Sequence, residues 1–292
     1  MINKLCVLFL GILILTKIHA QDVMETFNGT RILNGHSVET LKKNTLQFRI
    51  EHRFGNIAGP SGGVQNFFGF DQAADIRFAF EYGLSDDLMI GFGRSKGTGD
   101  PYNSLLDGFV KFRILRQNKA KNRPISLTVY AASTLTYQQA TENISMVQSF
   151  PEFAHRFAYT SQINIARKFG ERVSLAFMPT YVHRNYVNAN DINEILALGG
   201  AFNVKITKEL GIIGEYYHTL YKGIFDVENT LRLNNYNSLS AGLEWMTNGH
   251  NFKIVLTNSR GFTESQFIPY TYSNWLNNEF RLGFSITRNF KI

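Results

Sequence analysis

The chain has 292 residues, of which 44% are hydrophobic and 14% aromatic, with 25 Phe, 13 Tyr and a formal net charge of +7. After residue 20 no apolar stretch approaches the roughly 20 residues that a membrane helix needs, so the apolar content is spread by alternation and a helical membrane bundle is excluded. The single cysteine, Cys6, lies in the N-terminal apolar run, and once that run is removed no disulfide, thiolate metal site or thiol nucleophile remains.

Residues 1–20, MINKLCVLFLGILILTKIHA, combine a lysine near the start, an apolar core from Leu5 to Leu15, and Ala20 ahead of Gln21. That is the build of a cleaved secretory signal peptide, too short in its apolar run to anchor as a membrane helix. Lys4 and Lys17 leave with it, so the exported chain carries 28 basic and 23 acidic residues, a balance of +5. No clustered basic helix suggests nucleic acid, and lipid and lipopolysaccharide headgroups are the better match for mild positive charge on an exported protein. Residues 21–43 are polar, contain the turn pairs Asn28-Gly29 and Asn34-Gly35, and read as a periplasmic lead-in or a short plug.

The first strand follows at 44–54, NTLQFRIEHRF, with Leu46, Phe48, Ile50 and Phe54 on one parity and Gln47, Arg49, Glu51 and Arg53 on the other. The design recurs at 73–83, 87–95, 106–116, 125–137, 154–169, 173–183, 194–206, 210–222, 236–247, 250–259 and 278–291, giving twelve candidate strands. Connections are long at 55–72, 96–105, 138–153, 184–193, 223–235 and 260–277, and mostly short between. An even number of alternating strands with short turns at one end and long loops at the other predicts an all-β, antiparallel, up-and-down transmembrane β-barrel over 44–292, with both termini periplasmic. The last strand closes it: Phe280, Leu282, Phe284, Ile286, Phe290 and Ile292 form a greasy row opposite Glu279, Arg281, Gly283, Ser285, Thr287 and Asn289. Such a C-terminal strand is also the element expected to meet the barrel-assembly machinery.

Two tight turns set the register. Asn248-Gly249 is the two-residue loop of a type I′ hairpin, which places Thr247 opposite His250 and pairs Trp245 with Phe252, Glu244 with Lys253, Leu243 with Ile254 and Ala241 with Leu256. A three-residue loop at GLSDDL would set Tyr82 against Leu88, Phe80 against Ile90 and Phe78 against Phe92. In both hairpins apolar meets apolar, as a correct register requires.

Tyr82, Tyr137, Tyr159, Tyr181, Tyr221, Tyr236 and Trp245 cluster near strand ends, where the rings of a lipid-interface girdle belong. The opposite row supplies the lumen: Arg49, Glu51, Arg53, Asp75, Arg77, Glu81, Lys111, Arg113, Glu215, Glu244, Lys253, Arg281 and Glu279. A first hairpin symmetric about its loop brings Arg53 near Asp75 and Glu51 near Arg77. Such a ladder fits equally a narrow polar pore and a bore sealed by its own ion pairs. The loops GNIAGPSGGVQNFFGFD and RGFTESQFIPYTYSNWLNN hold FFGF and FIPYTY, too apolar to stand bare in water; they would fold into the mouth, touch lipid or form a greasy binding surface. The basic run RQNKAKNR, 116–123, reads as a solvated turn.

Catalytic and metal chemistry find no support. None of His36, His52, His155, His183, His218 and His250 stands beside a serine on one strand face, and the neighbours His36 and Ser37 point apart in extended chain. No two histidines fall at ligand spacing with a carboxylate, so neither an enzyme, a metal nor a cofactor is expected.

At HRFG (52–55), FGFDQAADIRFAFEYGLSDDLMIGFGRSK (68–96), DGFVKFRILRQ (107–117) and TNSRGFTESQF (257–267), the sequence resembles a domain-of-unknown-function family of Gram-negative outer-membrane β-barrels. The resemblance implies fold and outer-membrane location and carries no activity to any residue; Arg77 and Glu81 are expected in the lumen, Arg94 and Arg260 near the outer mouth. Together these readings predict a monomeric barrel acting as a narrow passive channel or port for small or hydrophobic solutes. The alternatives are a closed barrel serving as a structural or binding component and, third, an outer-membrane lipid hydrolase.

Overall fold

The computed structural model describes residues 25–72, 75–97, 102–118, 120–188, 191–220 and 235–292. The expected signal peptide, most of the loop expected at 223–235, and Tyr221 lie outside them. Twelve strands run β1 (Thr45–Asn56), β2 (Asp75–Gly83), β3 (Leu88–Lys96), β4 (Ser104–Leu115), β5 (Ser126–Thr136), β6 (Phe157–Phe169), β7 (Val173–Arg184), β8 (Glu194–Lys205), β9 (Leu210–Thr219), β10 (Ser238–Met246), β11 (His250–Thr257) and β12 (Arg281–Lys291). Each pairs antiparallel with its neighbours in sequence, and β12 returns to pair with β1 from Thr45↔Lys291 to Asn56↔Arg281, closing the barrel.

Burial runs inside out. On the outward parity Phe80, Phe92 and Ile254 are more than half exposed, while inward Glu81 and Lys111 are fully buried. A water-soluble sandwich would invert this, whereas a barrel in lipid needs its apolar row outside and its backbone hydrogen bonds closed upon themselves.

The Asn248-Gly249 hairpin has the expected register, with Trp245↔Phe252, Glu244↔Lys253, Leu243↔Ile254 and Ala241↔Leu256. At GLSDDL the register differs by two residues: Tyr82 faces Ile90, Phe80 faces Phe92 and Phe78 faces Arg94. The Ser85 hydroxyl accepts from the Asp87 and Leu88 amides and the Leu84 amide donates to the Leu88 carbonyl, so the loop is Ser85–Asp87, one residue further along than the pairing of Tyr82 with Leu88 requires. A shift of two preserves the faces, which is why the in–out pattern survives it.

Two strands start three residues later than expected. A 3-10 turn, Phe153–Arg156, precedes β6, and another, Trp275–Asn277, with left-handed Asn278 (φ 60°) precedes β12. Glu279 is thereby removed from the inward row; it is half-buried in the loop and accepts from the Asn274 amide.

The outward row generates a direct test. Phe92→Arg, at mid-strand on the outer face, is expected to cost about 2–4 kcal/mol if that face lies in hydrocarbon. Urea unfolding of the barrel refolded into lipid vesicles measures it; a cost near zero would mean the face is in water.

A filled, charge-lined bore

All twelve inward charges expected on the strands are buried: Arg49, Glu51, Arg53, Asp75, Arg77, Glu81, Lys111, Arg113, Glu215, Glu244, Lys253 and Arg281. The centre of their network is Arg77. Its Nε and Nη2 reach both oxygens of Asp107 at 2.9 and 2.6 Å, and its Nη1 reaches Glu51 at 2.7 Å. Arg77 is on β2 and Asp107 on β4, so the pair spans β3 where Gly93 stands. A Cβ there would meet Asp107 Oδ1 at 2.6 Å and Arg77 Nε at 2.8 Å, so only glycine lets the guanidinium cross. Arg49 pairs with Glu81 at 3.2 Å, Lys253 with Glu244 at 3.1 Å, and Arg113 with Asp87 at 2.9 Å.

Arg53 and Asp75 are Cα partners, as are Glu51 and Arg77, yet only the second pair bonds through its side chains. Arg53 turns to the Ser259 and Gly261 carbonyls and to Asn34 Oδ1, and its guanidinium lies over Phe262. Asp75 is taken instead by Arg260 at 2.7 Å, with Arg281 at 3.8 Å. Arg94 points outward over the Tyr137 ring. Asp107 and Arg184 also face inward and were not among the expected residues, although the parity of Lys111 and Arg113 passes through Asp107.

The charges do not occupy the whole inner row. From β6 to β9 much of the wall is Ala166, Ala176, Met178, Val182, Ile195, Ala197, Ala201 and Tyr217. Against this apolar arc pack Phe27, Ile32 and Val38 from the segment before β1, and Phe267 and Ile268 from the loop before β12.

That N-terminal segment lies inside the barrel. It turns at Ile32–Gly35, with Arg31 bridging His36, the Ile32 amide donating to Gly35 O and the Ser37 amide to Thr30 O. Its hydrogen bonds reach nine strands: Gln47 and Arg49 on β1, Glu81 on β2, Lys111 on β4, Ser126 on β5, Gln162 on β6, Ser174 on β7, Glu215 on β9, Ser240 on β10 and Lys253 on β11. Glu215 is held by three successive amides, those of Leu33, Asn34 and Gly35, at 3.3, 3.0 and 3.0 Å. Gly35 admits this approach because a Cβ would fall on the buried Tyr217 hydroxyl.

From the other end, 258–273 folds into the mouth around a single helical turn, Glu264–Phe267, burying Phe262, Phe267 and Ile268. Arg31 joins the two insertions by donating to Asn34 O and Phe262 O. The FFGF stretch behaves differently, and Phe67, Phe68 and Phe70 stay exposed. Burial, with the charges of Lys111 and Arg31, pushes the His36 imidazole well below its ordinary range, so the ring is neutral. Among the described residues no group of three or more His, Cys, Asp or Glu is placed to hold a metal ion.

The family model described as "Membrane bound beta barrel domain (DUF5777)" matches residues 27–290. No curated protein sequence matches the chain. Among solved structures it is similar to the KdgM porin, with 7% identity, TM-score 0.47, and 84% of this chain and 99% of that chain covered. It is also similar to the COG4313 outer membrane channel from Pseudomonas putida F1, with 12% identity, TM-score 0.45, and 87% and 98% covered.

Arg77→Met leaves Glu51 and Asp107 buried beside each other without their shared cation, and is expected to destabilise the barrel by about 3–5 kcal/mol. The combined Arg77→Met, Asp107→Asn variant should recover part of that loss. Urea midpoints read by tryptophan fluorescence check both; equal midpoints for Arg77→Met and the wild type would remove Arg77 from the centre of the network.

Proposed function

We propose that this chain, which belongs to the membrane bound beta barrel domain family, is an outer-membrane channel for small solutes whose bore is closed by its own residues 26–41. The observation that carries the reading is the character of the contact between that segment and the wall. It is made largely of hydrogen bonds to side chains that water or a solute could replace, and most of the wall behind it is polar. Twelve strands enclose a bore wider than the side-chain-filled interior of an eight-stranded barrel, so removing a peptide from it leaves room for passage.

The orientation follows from the loops. The tight turns at Ser85–Asp87 and Asn248-Gly249 share an end with the pair Thr45↔Lys291, where β1 begins and β12 finishes, and in barrels of this kind that end is periplasmic. Residues 26–41 then enter from the periplasm and 258–273 from outside. The outward row takes membrane lipid and lipopolysaccharide, and β12 is the strand that the assembly machinery would receive.

A second reading has its own support: the bore is filled from both ends, as in a closed barrel that binds or braces a partner. Single-channel recording separates the two. Full-length protein in a planar bilayer should be silent or open briefly, and a variant lacking 26–41 should give steady openings. Gly35→Val, whose side chain would collide with Tyr217, should raise open probability with the wall intact. Glu215→Ala strands three amides at roughly 1–3 kcal/mol each, and should raise it further. Silence from a folded, inserted deletion variant would favour the closed barrel.

A further inference from the structure

Lys111 is a wall cation whose partners are all neutral. Its Nζ donates to Thr30 O at 2.7 Å, Glu39 O at 2.9 Å and Ser37 O at 3.2 Å, every acceptor a backbone carbonyl of the inserted segment. Among the described residues no carboxylate lies within 4.0 Å of it; Glu81 is turned to Arg49 at 3.2 Å, and Glu39 to Arg113 at 3.7 Å. The segment therefore satisfies the ammonium's hydrogen bonds with neutral acceptors and leaves it with no carboxylate at bonding distance.

Beside Lys111 is an aromatic slot. Tyr130 faces it across the β4–β5 ladder, and Phe109 precedes it by two residues on the same side. The slot is filled by the His36 ring, stacked on Tyr130 at 4.1 Å and 29° and edge-on to Phe109 at 4.6 Å. His36 is 1% exposed, and its Nδ1 has no hydrogen-bond partner. The fit is one of shape: a flat ring is accommodated, its Nδ1 is not, and the neighbouring cation has no carboxylate at bonding distance.

A planar ring bearing a carboxylate would meet both deficits. Its ring would take the place of His36 between Phe109 and Tyr130, and its oxygens would replace the three carbonyls on Lys111, adding the attraction of opposite charges to hydrogen bonds the ammonium already makes. We propose that Phe109, Tyr130 and Lys111 form a binding site for an aromatic or heteroaromatic carboxylate, which competes with His36 and loosens the inserted segment. The competition rests on the reading of residues 26–41 as a displaceable closure. Tyr130 donates to Glu264 at 3.2 Å, so the same site also touches the loop that enters from the opposite end.

Isothermal titration of the folded full-length chain in detergent micelles, with benzoate, benzamide and acetate as probes, tests the site. The wild type should bind benzoate in preference to both others. His36→Ala vacates the slot and should tighten benzoate at least tenfold, and Lys111→Met placed on it should erase the preference for benzoate over benzamide. Equal affinities of His36→Ala for benzoate and benzamide would overturn the proposal, as would a tightening that survives Lys111→Met. Should Lys111→Met fail to fold, Phe109→Ala, which removes one wall of the slot and leaves every charge, must weaken benzoate at least tenfold; unchanged affinity would also overturn it. The readout is binding, not current. A barrel that binds benzoate but never conducts undoes the channel and leaves the site, and one that conducts without binding does the reverse.

Discussion

Inside hydrocarbon an unpaired backbone N–H or C=O costs several kcal/mol, and a sheet escapes that cost only by having no edge. The β1–β12 seam meets the requirement, with ten Cα pairs joining the first strand to the last. Closure then dictates where side chains go. Each strand shows one parity to lipid and the other to the bore, so a chain with apolar residues on one parity and charges on the other is forced inside out. The exposed Phe80, Phe92 and Ile254 and the buried Arg49, Arg77 and Lys111 are two consequences of that one geometric fact.

A charged bore creates a second demand. Buried ions need partners, and strands about 5 Å apart cannot always supply them from the wall. Arg77 manages by reaching over Gly93 to Asp107. Lys111 and Glu215 have no opposite charge within bonding distance among the described residues, and each takes backbone groups of the inserted segment, carbonyls for the cation and amides for the anion. A peptide is suited to this task because its main chain offers both polarities along its length. The segment completes the wall's electrostatics as well as blocking the bore.

Much of this architecture was legible from sequence because period two leaves little freedom. The Asn248-Gly249 hairpin was readable to the residue, since a two-residue loop allows a single pairing. The Ser85–Asp87 turn was not, because the Ser85 hydroxyl bonds decide between loops one residue apart, whose registers differ by two. Cα neighbours were readable where side-chain partners were not. Arg53 lies opposite Asp75 as expected, yet bonds to carbonyls around residue 260, which no local pattern connects to it. The insertion was the least legible feature. Phe27, Ile32 and Val38 carry no period of their own, and they find an apolar surface only because β6 to β9 turn small residues inward, where the charged parity of β1 to β4 suggested otherwise.

The two insertions do not act separately. Phe27, Ile32 and Val38 share one apolar cluster with Phe267 and Ile268, and Arg31 bonds at once to its own hairpin and to Phe262. Withdrawing the N-terminal segment alone would bare Phe267 and Ile268 to the bore and strip Arg31 from Phe262; withdrawing the loop alone would do the same to Ile32. Each insertion therefore raises the cost of moving the other, and such neighbours are expected to couple non-additively. On the channel reading, a barrel built this way has one closed state with both insertions seated and resists half-open ones. A ligand that biases either insertion acts on the opening of the whole bore, because the element it shifts is shared.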